Sequence, residues 1–193
     1  MRAHRLTNLK FGLIAIVALL LLPACSVNVK KGENGQDKNV DIHTPVGDIK
    51  VDKGADARDT GLAVYPGARI RHDDNDNDSK SANVNLSFGE YGLKVVALEY
   101  ESDDKPDKIV SFYQSELKKY GHVLECHVHS HGGHVETDSK NDSDDLKCED
   151  SGGTTIELKV GTKQNQRIVS VEAQNKGSHF ALVRVQTHGK DTI

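Results

Sequence analysis

The sequence predicts an α+β fold, an antiparallel β-sheet with one main α-helix packed on one face. Three observations carry that prediction. A single segment near the middle of the chain repeats apolar residues at helical spacing: Ile109, Val110, Tyr113, Leu117 and Tyr120, with Phe112 flanking them. Around it lie short runs that alternate apolar with polar residues or are apolar on both parities, as strands are. Gly-, Asn- or Asp-containing turns separate most of these runs, so strands consecutive in sequence pair antiparallel and the lone helix crosses one face.

The chain opens with a different pattern. Arg2, Arg5 and Lys10 precede an uninterrupted apolar run, Phe11 to Leu22, that ends at Pro23. The run falls within the length of a secretory signal core and short of the roughly 20 residues that span a bilayer. Leu22-Pro23-Ala24-Cys25 follows, and it resembles the lipobox of bacterial lipoproteins. The resemblance implies a signal peptide over 1–24, removal of that peptide, and a diacylglycerol on Cys25, which becomes the mature N-terminus. It also implies a cell-envelope protein held to the membrane by lipid and facing the periplasm or the exterior. Ser26 after the cysteine fits outer-membrane export in a Gram-negative cell.

Removing 1–24 takes away three basic residues and no acidic one. The 25 basic residues thus become 22 against 29 acidic ones, a formal charge of −7 on 169 residues. That length suits one domain with a real core. An acidic chain without Trp lacks the basic footprint of a nucleic-acid binder. With Cys25 assigned to lipid, Cys126 and Cys148 remain, and an exported chain meets an oxidising compartment where a disulfide is expected; two free buried thiols are the alternative. Leu124, Cys126 and Val128 share one strand face, and Leu146 and Cys148 share one on the return segment. A hairpin between them would put both sulfurs on the apolar side.

From 25 to 61 the chain is poor in large hydrophobes and reads as a lipid-anchored spacer. Within it, Val40 to Val51 alternates around Thr44-Pro45-Val46-Gly47, the pattern of a short hairpin that loosely resembles bacterial adhesin-like β-solenoid repeats. A single α+β domain is expected over 62–193. It opens on the turn Tyr65-Pro66-Gly67-Ala68. Val84, Leu86 and Phe88 form a strand with one wet face, and Leu93 to Tyr100 a central strand covered on both sides. Acidic capping candidates at Asp103 and Asp104 precede Pro106, where the helix starts, and Gly121 stops it. Strands are then expected near Val123–Val128, Leu146–Glu149, Thr154–Val160, Arg167–Ala173 and Phe180–Gln186. The Tyr65–Ala68 turn together with Asp107, Lys108, Val110, Phe112 and Tyr113 resembles a pattern of uncharacterised bacterial secreted proteins, a resemblance that implies no activity.

Two places could carry chemistry. His122, His127, His129, His131 and His134 cluster around the disulfide-bounded loop 126–148, with Glu136, Asp138, Asp142, Asp144 and Asp145 beside them. On a strand His127, His129 and His131 point the same way, and Gly132-Gly133 lets His134 return to them, a set of imidazoles suited to Zn²⁺ or Cu²⁺. A solvated loop with no metal role is the plainer reading. Asp74, Asp76 and Asp78 imitate a calcium loop, but Ser79 stands where that loop has Gly and Asn85 where it has Glu, so a solvated acidic turn is expected. No catalytic signature occurs. The sequence therefore points to a non-enzymatic binding or structural module on the envelope, with transition-metal binding by the His loop as the alternative. It names no protein partner.

Overall fold

The computed structural model describes residues 26–31, 37–52, 54–73, 76–79, 81–129, 145–148 and 152–189. Residues 1–24, where a signal peptide is expected, and Cys25 lie outside them, and among the described residues no helix is long and apolar enough to cross a membrane. The strands are β1 (Ser26–Lys31), β2 (Asp37–Thr44), β3 (Gly47–Asp52), β4 (Arg69–Ile70), β5 (His72–Asp73), β6 (Asp76–Ser79), β7 (Ser81–Phe88), β8 (Tyr91–Ser102), β9 (Leu124–Val128), β10 (Thr155–Thr162), β11 (Asn165–Ala173) and β12 (Ser178–His188). Helix α1 (Ala57–Thr60) is a single turn, and α2 (Pro106–Leu117) continues into a 3₁₀ turn at Lys118–Tyr120.

The α+β expectation is corrected by the sheet. Ten of the strands join one antiparallel sheet in the order β1-β2-β3-β7-β8-β12-β11-β10-β9, with β4 pairing β8 beside β7, so the fold is mostly β. The physical reason is size. A helix about 10 Å wide spans two or three strands spaced about 4.8 Å apart, whereas nine strands side by side extend about 38 Å. The additional strands come from the segment read as a spacer: the hairpin around Thr44–Gly47 is present, and β3 pairs β7, which adds β1, β2 and β3 to the sheet. Gly47 makes that junction possible, because a Cβ there would lie 2.2 Å from the Ser87 carbonyl oxygen. Thr44 closes the turn by donating its hydroxyl to the Gly47 carbonyl at 2.8 Å.

Helix α2 packs across β10 and β11. Ile109, Tyr113 and Leu117, one helical stripe, are fully buried against Leu98, Leu158, Val169 and Leu182. The Tyr113 hydroxyl donates to the Ala63 carbonyl at 3.1 Å and accepts from the Tyr65 amide at 3.1 Å. Tyr65 in turn sets its ring edge-on to Phe112, 5.3 Å between centroids, and donates its hydroxyl to Asp104 at 2.9 Å. The Tyr65–Ala68 turn and the helix pattern are thus one packing unit, which explains why they occur together. No carboxylate caps α2: its N-cap is Lys105, without a side-chain bond, and Asp104 pairs with Lys108 at 2.5 Å instead. Gly121 does end the turn, donating its amide to the Lys118 carbonyl. The strand expected at Leu146–Glu149 does not form over 145–148, which are irregular.

Candidate binding face

Period-two alternation in β1, β2, β3 and β7 becomes two-dimensional once the strands are in register. Val27 faces Ile42, which faces Ile49, Leu86 and then Leu93. Beside that row, Val29 faces Val40, Val51, Val84, Val95 and finally Val185. A third row runs Ala82, Ala97, Val183 and Ile168. Opposed residues share a face, so all three rows lie on one side of the sheet. The other side of the same strands reads Asn28, Asp41, Lys50, Asn85 and Lys94. His43 and Asp48 meet there at 2.8 Å.

Both described α-helices belong to that polar side or its continuation. The core of α2 involves Val96, Leu98 and Leu182, the opposite parity from Val95, Ala97 and Val183. The Asp59 and Thr60 carbonyls of α1 accept from Arg184 and Arg167, also on the helix side. The apolar face is therefore graded. Ile168 and Val185 are fully buried, the rows through β7, β3 and β2 are half-buried, and Val29 and Val27 at the edge are 39% and 63% exposed. Among the described residues, β1, β2, β3 and β7 contain no buried side chain.

At its inner end the face carries charge. Lys159 lies opposite Ile168, and Glu157 opposite Ser170 and Cys126. Glu157 and Lys159 are 0% and 1% exposed, with Nζ and Oε2 3.5 Å apart. Sequence reading missed this pair, because Thr155, Glu157 and Lys159 alternating with Ile156, Leu158 and Val160 describe a half-wet strand. Along the margin, Arg71 binds Glu99 at 2.7 Å and Arg69 binds Glu101 at 3.1 Å and Asp103 at 2.9 Å. Arg71, Glu99, Ser170, Glu172 and His179 border a cavity of about 140 Å³.

Burial, followed by the Arg71 charge, holds the His179 imidazole below its ordinary value of 6.5, against the upward pull of Glu101, Glu172 and Glu99. The unfolded chain therefore takes up a proton that the folded protein resists. Stability from this group is full above pH 6.5 and is lost as pH falls from there through the folded-state value. Urea unfolding at pH 5 and pH 7.5 is expected to show a smaller loss on acidification in His179→Asn than in the wild type. Equal losses would remove His179 from the account.

Only some of the residues singled out by sequence lie among the described residues. Cys126 and Cys148 form a disulfide with Cα atoms 5.5 Å apart. Cys126 and Val128 are buried on the apolar side of β9, whereas His127 is exposed on the helix side, 3.4 Å from Glu125, and His129 is exposed just past the strand. His122 is exposed after the 3₁₀ turn, and Asp145 is exposed in the irregular segment. His131, His134, Glu136, Asp138, Asp142 and Asp144 lie outside the described residues. Among the described residues no group of three or more His, Cys, Asp or Glu side chains could hold a metal. Asp74 and Asn75 lie outside as well, and Asp76, Asp78 and Ser79 belong to β6, which pairs with β5. A shallow groove of about 590 Å³ between the Tyr65 turn and α2 holds Asp104 and Lys108, which neutralise each other.

No protein-family model, curated protein or solved structure matches the chain.

Proposed function

We propose that the protein is a lipid-anchored envelope protein that acts by binding rather than by catalysis, and that it binds hydrocarbon tails of amphiphiles on the apolar sheet face. The supporting observation is the register that aligns Val29, Val40, Val51, Val84, Val95 and Val185 into one row beside Val27, Ile42, Ile49, Leu86 and Leu93. At about 4.8 Å per strand these rows are about 24 and 19 Å long. One leaflet of a bilayer's hydrocarbon core, about 15 Å, is shorter than either. Backbone donors and acceptors in the interior of a sheet face are committed to the ladder, so the face suits a ligand that needs no hydrogen bonds. Cys25 immediately precedes β1, and a lipid there would hold the rim of the rows at the membrane, facing the periplasm or the exterior.

Titration with a fluorescent fatty acid tests the reading. Ile42→Asn with Val51→Asn is expected to weaken binding at least tenfold, while Asn85→Asp on the polar side leaves it unchanged. Equal binding by all three proteins would contradict it. Radiolabelled palmitate should enter the wild-type chain and not Cys25→Ser.

A further inference from the structure

We infer that β1 is a homodimerisation edge, pairing antiparallel with β1 of a second copy. Among the described residues β1 is the last strand on its side of the sheet and pairs only with β2. Such an edge presents unpaired amides and carbonyls, and natural edges are usually blunted by proline, inward charge or a covering element. Over Ser26–Lys30 the strand reads Ser-Val-Asn-Val-Lys, without proline and with its single charge at the end; among the described residues no element covers its edge, and Val27 is the most exposed apolar side chain of the two rows.

The sequence is self-complementary in one register. Pairing Asn28 with Asn28 across a two-fold axis sets Val27 opposite Val29 and Ser26 opposite Lys30, twice each. Shifting by one residue puts apolar side chains opposite polar ones on the wrong face, as any odd shift must. Shifting by two residues either leaves only three residues paired or sets Val27 opposite Lys31. The Asn28 register also carries both apolar rows across the axis without a break, so two half-open faces become one. Two-fold symmetry with an isologous interface is the usual route to a dimer.

A five-residue ladder is small beside the roughly 1,600 Å² of a standard interface. The dimer therefore depends on the effective concentration that a common membrane supplies, and in this respect the inference rests on lipid attachment at Cys25. In the Asn28 register the two Cys25 residues lie about 20 Å apart along the strand direction, close enough for both lipids to enter one leaflet.

The test is disulfide trapping in the full-length protein in its native membrane, read on non-reducing gels. Opposed residues on paired strands have Cα atoms about 4.5–5.5 Å apart, within disulfide range. Asn28→Cys is expected to give a covalent dimer in more than half of the protein on mild oxidation. Lys30→Cys, whose two copies would lie about 14 Å apart, should stay at the wild-type background. Adding Val27→Asp and Val29→Asp to Asn28→Cys should remove the dimer. Equal trapping at positions 28 and 30, trapping unaffected by the aspartates, or no trapping at all would overturn the proposal. Palmitate labelling of the same samples separates the causes: labelled protein without a dimer refutes the pairing alone, whereas unlabelled protein refutes the anchor.

Discussion

Lys159→Met, with Glu157 left in place, is expected to destabilise the protein by about 3–5 kcal/mol, because it removes a buried ammonium from beside a buried carboxylate. Both side chains are essentially inaccessible, at 0% and 1% exposure, and their charged atoms are 3.5 Å apart. A buried pair of this kind adds little net stability, since removing two charges from water offsets most of their attraction. Removing one partner is different, because the remaining charge keeps its desolvation cost and loses the attraction of the other. Against a typical total of about 5–15 kcal/mol, the loss would be a third or more. The double variant Glu157→Gln, Lys159→Met should recover most of it. Urea unfolding of the three proteins at pH 7 decides the matter. A Lys159→Met loss below about 1 kcal/mol, or no recovery in the double variant, would show that the pair is not buried as a unit.

Replacing Cys126 and Cys148 together by alanine is expected to cost about 3 kcal/mol, the chain-entropy value for a link across 22 residues. The effect should be uneven. β9 has five residues and, among the described residues, pairs only with β10, so it is the described edge opposite β1. The disulfide ties the irregular segment 145–148 to that edge, and Cys148 Sγ lies 3.7 Å from the Glu125 carbonyl oxygen. Hydrogen exchange should therefore accelerate most at Leu124–Val128 and least at β8 and β12, which sit at the centre of the sheet. Reduction of the wild type should reproduce the pattern. Uniform acceleration through every strand would mean that the disulfide acts on global stability alone.

The elements that local pattern alone specifies were legible. The helix stripe at Ile109, Tyr113 and Leu117 needs only its own periodicity and lies where its period puts it. The apolar run at Leu93–Tyr100 is a central strand as expected, but only its Val96, Leu98 and Tyr100 face is buried, and Leu93, Val95 and Ala97 on the other are half-buried rather than covered. The parity of β9 was likewise readable, with Cys126 inward and His127 outward. Long-range pairing was not. Nothing in Val40–Val51 announces that its hairpin joins β7, because a hairpin exposed on one face and a wing of a larger sheet have the same alternation. That ambiguity turned three strands into a spacer and an almost all-β protein into an α+β one. The buried Glu157–Lys159 pair was hidden for a related reason, since a polar parity reads as solvent-facing until something encloses it. The apolar face belongs to this second class: each strand supplies one to three residues, and only the register makes them rows.

The most direct measurement is paramagnetic relaxation in methyl-labelled protein titrated with a spin-labelled stearate. The account predicts that methyl signals of Val40, Ile42, Ile49, Val51, Val84 and Leu86 broaden together and saturably, while those of Leu117 on the buried face of helix α2 and Leu158 beneath it stay sharp. Broadening confined to the helix side, or none at a ligand concentration that saturates fluorescence, would contradict it.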